Sequence, residues 1–210
     1  MSTERKSTVL LEHHLKQLKL PTMLKEYLPV AKSCGRQRCD YTTYLLRLCE
    51  KELAERQSRA MNRRIKAAKF RMLKTIDSFD FKAQKSVNEP LVRQLLRCEF
   101  IDNKENVLFI GNSGTGKTHL ATALGFAGCC EGYKVRFFCC SSLVTQLLEA
   151  RDESQLQRLL RQLEKQDLLI LDELGYVPFT KEGSELLFEV VSRAYERQRL
   201  IVTPNLPFES

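Results

Sequence analysis

Eight consecutive residues constrain this chain more than any other feature: Gly111-Asn112-Ser113-Gly114-Thr115-Gly116-Lys117-Thr118. They match Gly-x-x-x-x-Gly-Lys-Ser/Thr and lie between a short apolar run, Val107-Leu108-Phe109-Ile110, and a stretch that reads as helix to about residue 130. A strand that turns through glycines into a helix makes an anion cradle. The glycines let backbone N–H groups curl around phosphate oxygens without Cβ clashes. The helix aims its first donors and the positive end of its dipole at the same anion. Lys117 is placed to reach the terminal phosphates, and the Thr118 hydroxyl to ligate Mg²⁺. Gly111, Asn112, Ser113, Gly114, Thr115, Gly116, Lys117, Thr118 and the adjoining His119 are therefore the candidate nucleotide-contacting residues. ATP and Mg²⁺ are the expected ligands.

From about residue 90 the pattern alternates. Helix is predicted over 90–98, strand over 107–110, strand over 135–139, and helices near 142–150 and 153–166. A strand over 168–171, a helix over 183–198 and a strand over 200–203 complete the pattern. Apolar strands alternating with helices mean an α/β fold, a parallel sheet covered on both faces.

The run Leu168-Leu169-Ile170-Leu171 ends in Asp172-Glu173. An acidic pair after a strand is also what a helix N-cap looks like. Lying downstream of Lys117 in an α/β pattern, it points to Asp172 as a metal partner and Glu173 as the group that orients and polarises the attacking water. Asn205 follows the last strand, where it can contact the γ-phosphate or the lytic water, or serve as an ordinary turn residue before Pro207.

The first third differs in charge. Residues 1–75 hold 18 Lys+Arg and 7 Asp+Glu, a net +11, whereas residues 76–210 hold 16 and 19, a net −3. Such asymmetry marks a two-part molecule: a basic helical domain at 1–75, a linker at 76–89 and a second domain at 90–210. Within the first part, one short helix is predicted to end before Pro21 and another near Pro29, with a loop at 33–37. A long helix is predicted from Tyr41 to about Lys74. Its basic residues share a face three or four apart, among them Arg63, Arg64, Lys66 and Lys69. That face suits nucleic acid, and equally suits solvent. The eight cysteines form no Cys-x-x-Cys pair and stand at no ligand spacing from His13, His14 or His119. They read as reduced thiols rather than a zinc site or a disulfide framework. No apolar run is long enough to span a bilayer, and the N-terminus lacks a signal peptide, so a cytoplasmic location is expected.

With these motifs read, the chain resembles the AAA+ ATPases, and more narrowly the IstB-type helper ATPases of bacterial insertion sequences. The marks are Leu-Lys-Leu-Pro at 18–21, Arg-Arg-Ile-Lys-Ala-Ala-Lys at 63–69 and Gly-Thr-Gly-Lys-Thr-His-Leu-Ala at 114–121. The most specific is Leu-Leu-Ile-Leu-Asp-Glu-Leu-Gly-Tyr-Val-Pro-Phe at 168–179. The resemblance implies an ATP-dependent homo-oligomer that assembles on duplex DNA, deforms it and assists a partner transposase. Replicative helicase loaders share the phosphate loop and supply the alternative reading, an ATPase adaptor gripping a protein partner; a non-catalytic remnant is a third. The family's helical insertion falls at 142–166 here, with Arg151, Arg158, Arg161 and Lys165 as DNA contacts or as a solvated face. The resemblance also implies the strand order 5-1-4-3-2. It places a fifth strand, an arginine finger and a helical lid beyond Ser210, and so leads us to expect an open sheet edge and weak hydrolysis in this chain. Pro204 departs from the family's polar residue before the asparagine.

Overall fold

Alternation of side chains along four apolar strands decides how the second half of the chain is layered. The computed structural model describes residues 3–150, 152–175 and 179–205. Arg151, residues 176–178 of the 168–179 run, and residues 206–210 with Pro207 lie outside them. Two compact units divide the chain, 1–62 and 63–210.

In the second unit the strands are β1 (Val107–Leu108), β2 (Val135–Cys139), β3 (Leu168–Leu174) and β4 (Arg199–Pro204). They pair in parallel in the order β1-β4-β3-β2 among the described residues, as the resemblance implies for these four. Successive residues of a strand face opposite sides. Accordingly Val135, Phe137, Leu168, Ile170 and Ile201 enter one core, packed under α6 (Lys117–Glu131) with Ala121 and Leu124. Phe138, Leu169, Leu171 and Leu200 enter the other, under α7 (Cys140–Glu149), α8 (Glu153–Leu163) and α9 (Lys181–Arg197). Gly125 lets α6 lie close to the sheet: a Cβ there would stand 2.5 Å from Ile170 Cδ1.

Helix boundaries follow local capping. Asn88 Oδ1 accepts from Leu91 N at 3.1 Å and starts α4 (Glu89–Leu95). Cys98, at φ 61°, breaks the predicted 90–98 helix, and the chain restarts as the short α5 (Glu99–Asp102). Asp152 Oδ1 accepts from Gln155 N at 2.7 Å to start α8, and Thr180 Oγ1 from Gly183 N at 3.2 Å to start α9.

In the first unit α1 (Thr3–Gln17) and α2 (Pro21–Gln37) pack with α3 (Tyr41–Ala68) around Leu15, Tyr27, Val30, Cys34 and Leu48. The predicted break at Pro29 and the predicted loop at 33–37 do not occur: α2 runs through both. Tyr27, Val30 and Cys34 are buried at helical spacing on either side of Pro29, which is itself exposed. The carbonyl that proline leaves unpaired therefore faces water, which limits a cost of about 3 kcal/mol. The N-terminus of α2 has no side-chain cap of its own. Glu52 of α3 replaces it, its buried Oε2 accepting from Thr22 N at 2.8 Å and Met23 N at 3.1 Å. Arg59 lies 3.2 Å from the other oxygen.

α3 ends at Ala68 rather than near Lys74, because Lys69 adopts the left-handed conformation at φ 56°. The two compact units divide inside α3, between residues 62 and 63. The reason is packing: Ile65 and the fully buried Ala68 belong to the core beneath α6. Residues 76–89 carry a turn and a packed ring. A 3₁₀ turn at Ile76–Ser78 leads to Phe79, whose ring covers Gly116 closely enough that a Cβ there would meet it at 2.6 Å.

Candidate nucleotide-binding site

The loop between β1 and α6 is shaped by left-handed glycines, Gly114 at φ 80° and Gly116 at φ 87°, a region costly to side chains. Gly116 ends the loop as the N-cap of α6. A Cβ at Gly114 would meet nothing within 4 Å, so its backbone faces open space. Lys117 is 8% exposed, and its ammonium donates to the carbonyls of Gly111 at 2.7 Å and Asn112 at 2.8 Å. A buried ammonium must find acceptors. Here the loop supplies them, and an arriving phosphate offers stronger, charged ones. Thr115 Oγ1 also donates to the Asn112 carbonyl at 2.9 Å, and Ser113 is exposed.

Behind the loop, Thr118 and Asp172 come together although 54 residues separate them. Thr118 Oγ1 donates to Asp172 Oδ1 at 2.9 Å. Thr203 Oγ1 of β4 donates to the same oxygen at 2.5 Å. Asp172 is fully buried and its second oxygen, Oδ2, has no hydrogen-bond partner among the described residues. An orphaned carboxylate oxygen at zero exposure is expensive unless something positive completes it. The donor set is hard oxygen, a carboxylate and a hydroxyl, which is what Mg²⁺ selects. Thr118 and Asp172 therefore fit the metal role read from the sequence.

Glu173 departs from its strand. Its φ is +61°, and the β3–β4 register shifts between Asp172 and Leu174. A bulge of this kind re-aims one side chain. The Glu173 N–H donates to Thr203 Oγ1 at 3.0 Å, so a single hydroxyl braces both acids. Its carboxylate Oε2 accepts from Cys139 Sγ at 3.2 Å and lies 3.4 Å from Arg71 Nη1. Asn205 is tied to the same bulge through its backbone N–H, which donates to the Leu174 carbonyl at 2.9 Å.

His119 is engaged by the 75–79 segment. Its Nε2 lies 2.9 Å from the Thr75 carbonyl and 3.3 Å from Ser78 Oγ, and its ring meets Phe79 edge-on. It anchors the 75–79 segment against the start of α6. Of the basic residues singled out, Arg63, Lys66, Lys69, Arg158 and Arg161 are exposed. Arg64 is half-buried and donates from Nε to the Cys129 carbonyl at 2.8 Å. Sequence reasoning missed Thr203, Arg71, Cys139 and Phe79. Thr203 carried a signal, a hydroxyl at the tip of a strand beside the acidic one; the other three carried none.

All eight cysteines are free. Burial pushes the thiols of Cys98 and Cys129 up to about 11 and that of Cys140 to about 12. No cluster of three or more metal-ligating side chains occurs among the described residues, and no described helix is long and apolar enough to cross a membrane.

Comparison with known proteins agrees with this geometry. Residues 13–210 match the family model described as IstB-like ATP binding protein. A protein of insertion sequence IS5376 from Geobacillus stearothermophilus, named for ATP binding, is 41% identical over 192 residues, covering 91% of this chain and 76% of its own. Its counterpart from IS21 of Pseudomonas aeruginosa is 34% identical over 198 residues, 94% of this chain and 75% of that one. Among solved structures, AMPPCP-bound DnaA from Aquifex aeolicus superposes with a TM-score of 0.55 at 20% identity, over 63% of this chain and 42% of its own. The DnaC helicase loader superposes with a TM-score of 0.50 at 25% identity, over 57% of this chain and 70% of its own. The fold is the AAA+ P-loop fold, and the chain belongs to the IstB-like ATP-binding protein family.

Proposed function

We propose that the chain binds MgATP in the Gly111–Thr118 loop, hydrolyses it, and uses the bound state to assemble with further copies of itself on duplex DNA in support of a transposase. The observation that carries the nucleotide reading is the Asp172 Oδ2 left without a partner among the described residues, beside the Thr118 hydroxyl and behind a glycine loop whose own carbonyls hold its lysine. The backbone donors of the loop and the N-terminus of α6 seat the phosphates. Lys117 exchanges two carbonyls for phosphate oxygens. Magnesium, when bound, supplies positive charge to the terminal phosphates, with Thr118 and Asp172 holding it. Glu173 orients the attacking water and accepts its proton. Asn205, whose backbone is tied to the same bulge, serves in this reading as the polar side chain that senses the terminal phosphate.

The insertion-sequence names of the relatives support transposition as the setting. The excess of positive charge in residues 1–75, to which exposed Arg63, Lys66 and Lys69 contribute, supports duplex DNA as the surface on which copies assemble. Exposed Arg158 and Arg161 on α8 are further candidates. The likeness to the DnaC helicase loader favours a second reading, an adaptor that captures a helicase.

Sizing the protein with ATP, duplex DNA, both and neither tests the reading. Larger assemblies with both, lost in Lys117→Ala and dispersed steeply by salt, are expected. Tight capture of a replicative helicase with little duplex affinity would replace transposition with helicase loading. A pocket that does not bind ATP would end both.

A further inference from the structure

In the first unit, the turn that carries α2 into α3 is closed by two backbone bonds. Arg38 adopts the left-handed conformation at φ 53°. Cys39 N donates to the Cys34 carbonyl at 3.0 Å, and Arg38 N to the Gly35 carbonyl at 3.4 Å. This pattern sets the side chains at its two ends against each other, where apolar pairs commonly meet. Here both ends are cysteines. Cys34 is 4% exposed, and Cys39 is half-buried against the same three-helix core. Arg47 of α3 closes the corner: its Nη1 stands 3.6 Å from Cys34 Sγ and donates to Gln37 Oε1 at 2.7 Å. Cys39 Sγ donates to that same oxygen at 3.7 Å. Burial and the neighbouring Cys34 thiol push the Cys39 pKa up, and the Arg47 guanidinium works against them. Backbone bonds thus hold two thiols in register, one reachable from solvent and the other behind it.

We propose that Cys34 and Cys39 form a reversible dithiol, a modification site that peroxide converts to a disulfide. The Cys39 thiolate attacks one peroxide oxygen; the O–O bond breaks, Cys39 becomes a sulfenic acid, and hydroxide leaves with the thiol proton as water. Cys34 sulfur then attacks Cys39 sulfur. The S–O bond breaks, the S–S bond forms, and the hydroxyl leaves with the Cys34 proton as a second water. Two electrons pass from the sulfurs to the peroxide. The 3.0 Å bond from Cys39 N to the Cys34 carbonyl keeps the two Cα atoms within the about 7 Å that a disulfide can bridge. The bridge makes permanent a turn that its two hydrogen bonds hold only reversibly. In a reducing compartment such a link is transient and reports oxidation rather than building the fold. The basic unit thereby acquires a lock between α2 and α3 that needs neither nucleotide nor DNA.

The test oxidises the reduced full chain with hydrogen peroxide, blocks the remaining thiols with iodoacetamide and digests with trypsin. Cleavage after Arg36 and Arg38 separates peptides 33–36 and 39–47, which stay joined only through a Cys34–Cys39 bridge. The joined pair is expected as the main product of either cysteine, and dithiothreitol should part it. In glutathione redox mixtures the folded chain should keep the bridge at a ratio about tenfold more reducing than the chain in urea does. Cys34→Ser should leave Cys39 as a sulfenic acid that dimedone traps, whereas Cys39→Ser should leave Cys34 unmodified over the same time. Arg47→Gln should slow bridging about threefold and Arg47→Lys restore it; equal rates in all three would overturn the arginine's part. Peptides that never join, or Cys34 and Cys39 paired mainly with other cysteines, overturn the site. A bridge no more persistent in the folded chain than in urea also overturns it, because nearness along the chain would then suffice. Dimedone capture at Cys34 rather than Cys39 overturns the order of attack.

Discussion

Thr203 holds its hydroxyl 2.5 Å from Asp172 Oδ1, at the point where β4 lies beside β3. The Thr203 hydroxyl oxygen in turn accepts the Glu173 N–H at 3.0 Å. One side chain thus satisfies half of a buried carboxylate and anchors the strained residue after it. Replacing it by valine keeps the volume and removes both bonds. Thr203→Val should lower stability by about 1–3 kcal/mol, the cost of leaving buried polar groups unpaired. It should also weaken magnesium-dependent nucleotide binding, and Thr203→Ser should restore both. Thermal melts and a titration of ATP with and without magnesium check this. Equal melting temperatures for Thr203→Val and wild type would refute it.

Lys117 rests on two loop carbonyls, at 2.7 Å and 2.8 Å, in a nearly buried position. Lys117→Ala removes one charged hydrogen-bonding partner of the phosphates, worth about 1.5–3 kcal/mol. ATP affinity should fall by roughly tenfold to 150-fold. Calorimetric titration measures it, and an unchanged dissociation constant would remove Lys117 from the site.

Gly125 faces Ile170 Cδ1 at 2.5 Å and Phe70 Cε1 at 2.9 Å from where its Cβ would be. Gly125→Ala gains helix propensity but forces α6 away from the sheet. Overpacking of this kind costs about 1–3 kcal/mol. Because α6 begins at the phosphate loop, nucleotide binding should weaken along with the melting temperature. A variant as stable as wild type would show that the helix has room to move.

Glu52 caps the N-terminus of α2 from another helix. Burial alone would raise its pKa, but the N–H groups of Met23 and Thr22, with Arg56 and Arg59, hold it below the ordinary carboxylate value. A carboxylate lowered on folding contributes stability that is complete above its unfolded pKa and disappears as pH falls through the folded one. Wild type should therefore lose stability faster than Glu52→Gln as pH falls through and below the ordinary carboxylate range, while Glu52→Gln is the less stable protein at neutral pH. Urea titrations across that range, read on the helical signal, decide it; parallel pH profiles would count against the cap.

Much of this arrangement was legible before any coordinate. The glycine spacing, the lysine and threonine that follow, and the apolar strand ending in two acids are local patterns, and local geometry answers to neighbouring residues. Pro29 misled for the opposite reason: its local preference was outweighed by Tyr27, Val30 and Cys34, whose burial belongs to the packing of three helices. Residues 76–89 read as a linker because they lack periodicity, yet Phe79 is held by His119 and Gly116 across the fold.

By itself, then, the sequence determined that a parallel sheet carries a phosphate loop, that Lys117 and Thr118 begin the helix behind it, and that Asp172 and Glu173 end a neighbouring strand. Covalent spacing and side-chain alternation suffice for that. Only the tertiary structure decided that Thr203 stands between the two acids, that Arg71 reaches Glu173 across 102 residues of chain, and that Cys139 shares the same oxygen. Those contacts depend on strand register and on where α3 stops. Both are settled by which apolar faces are buried together, a property of the whole packed core that no short stretch of residues contains.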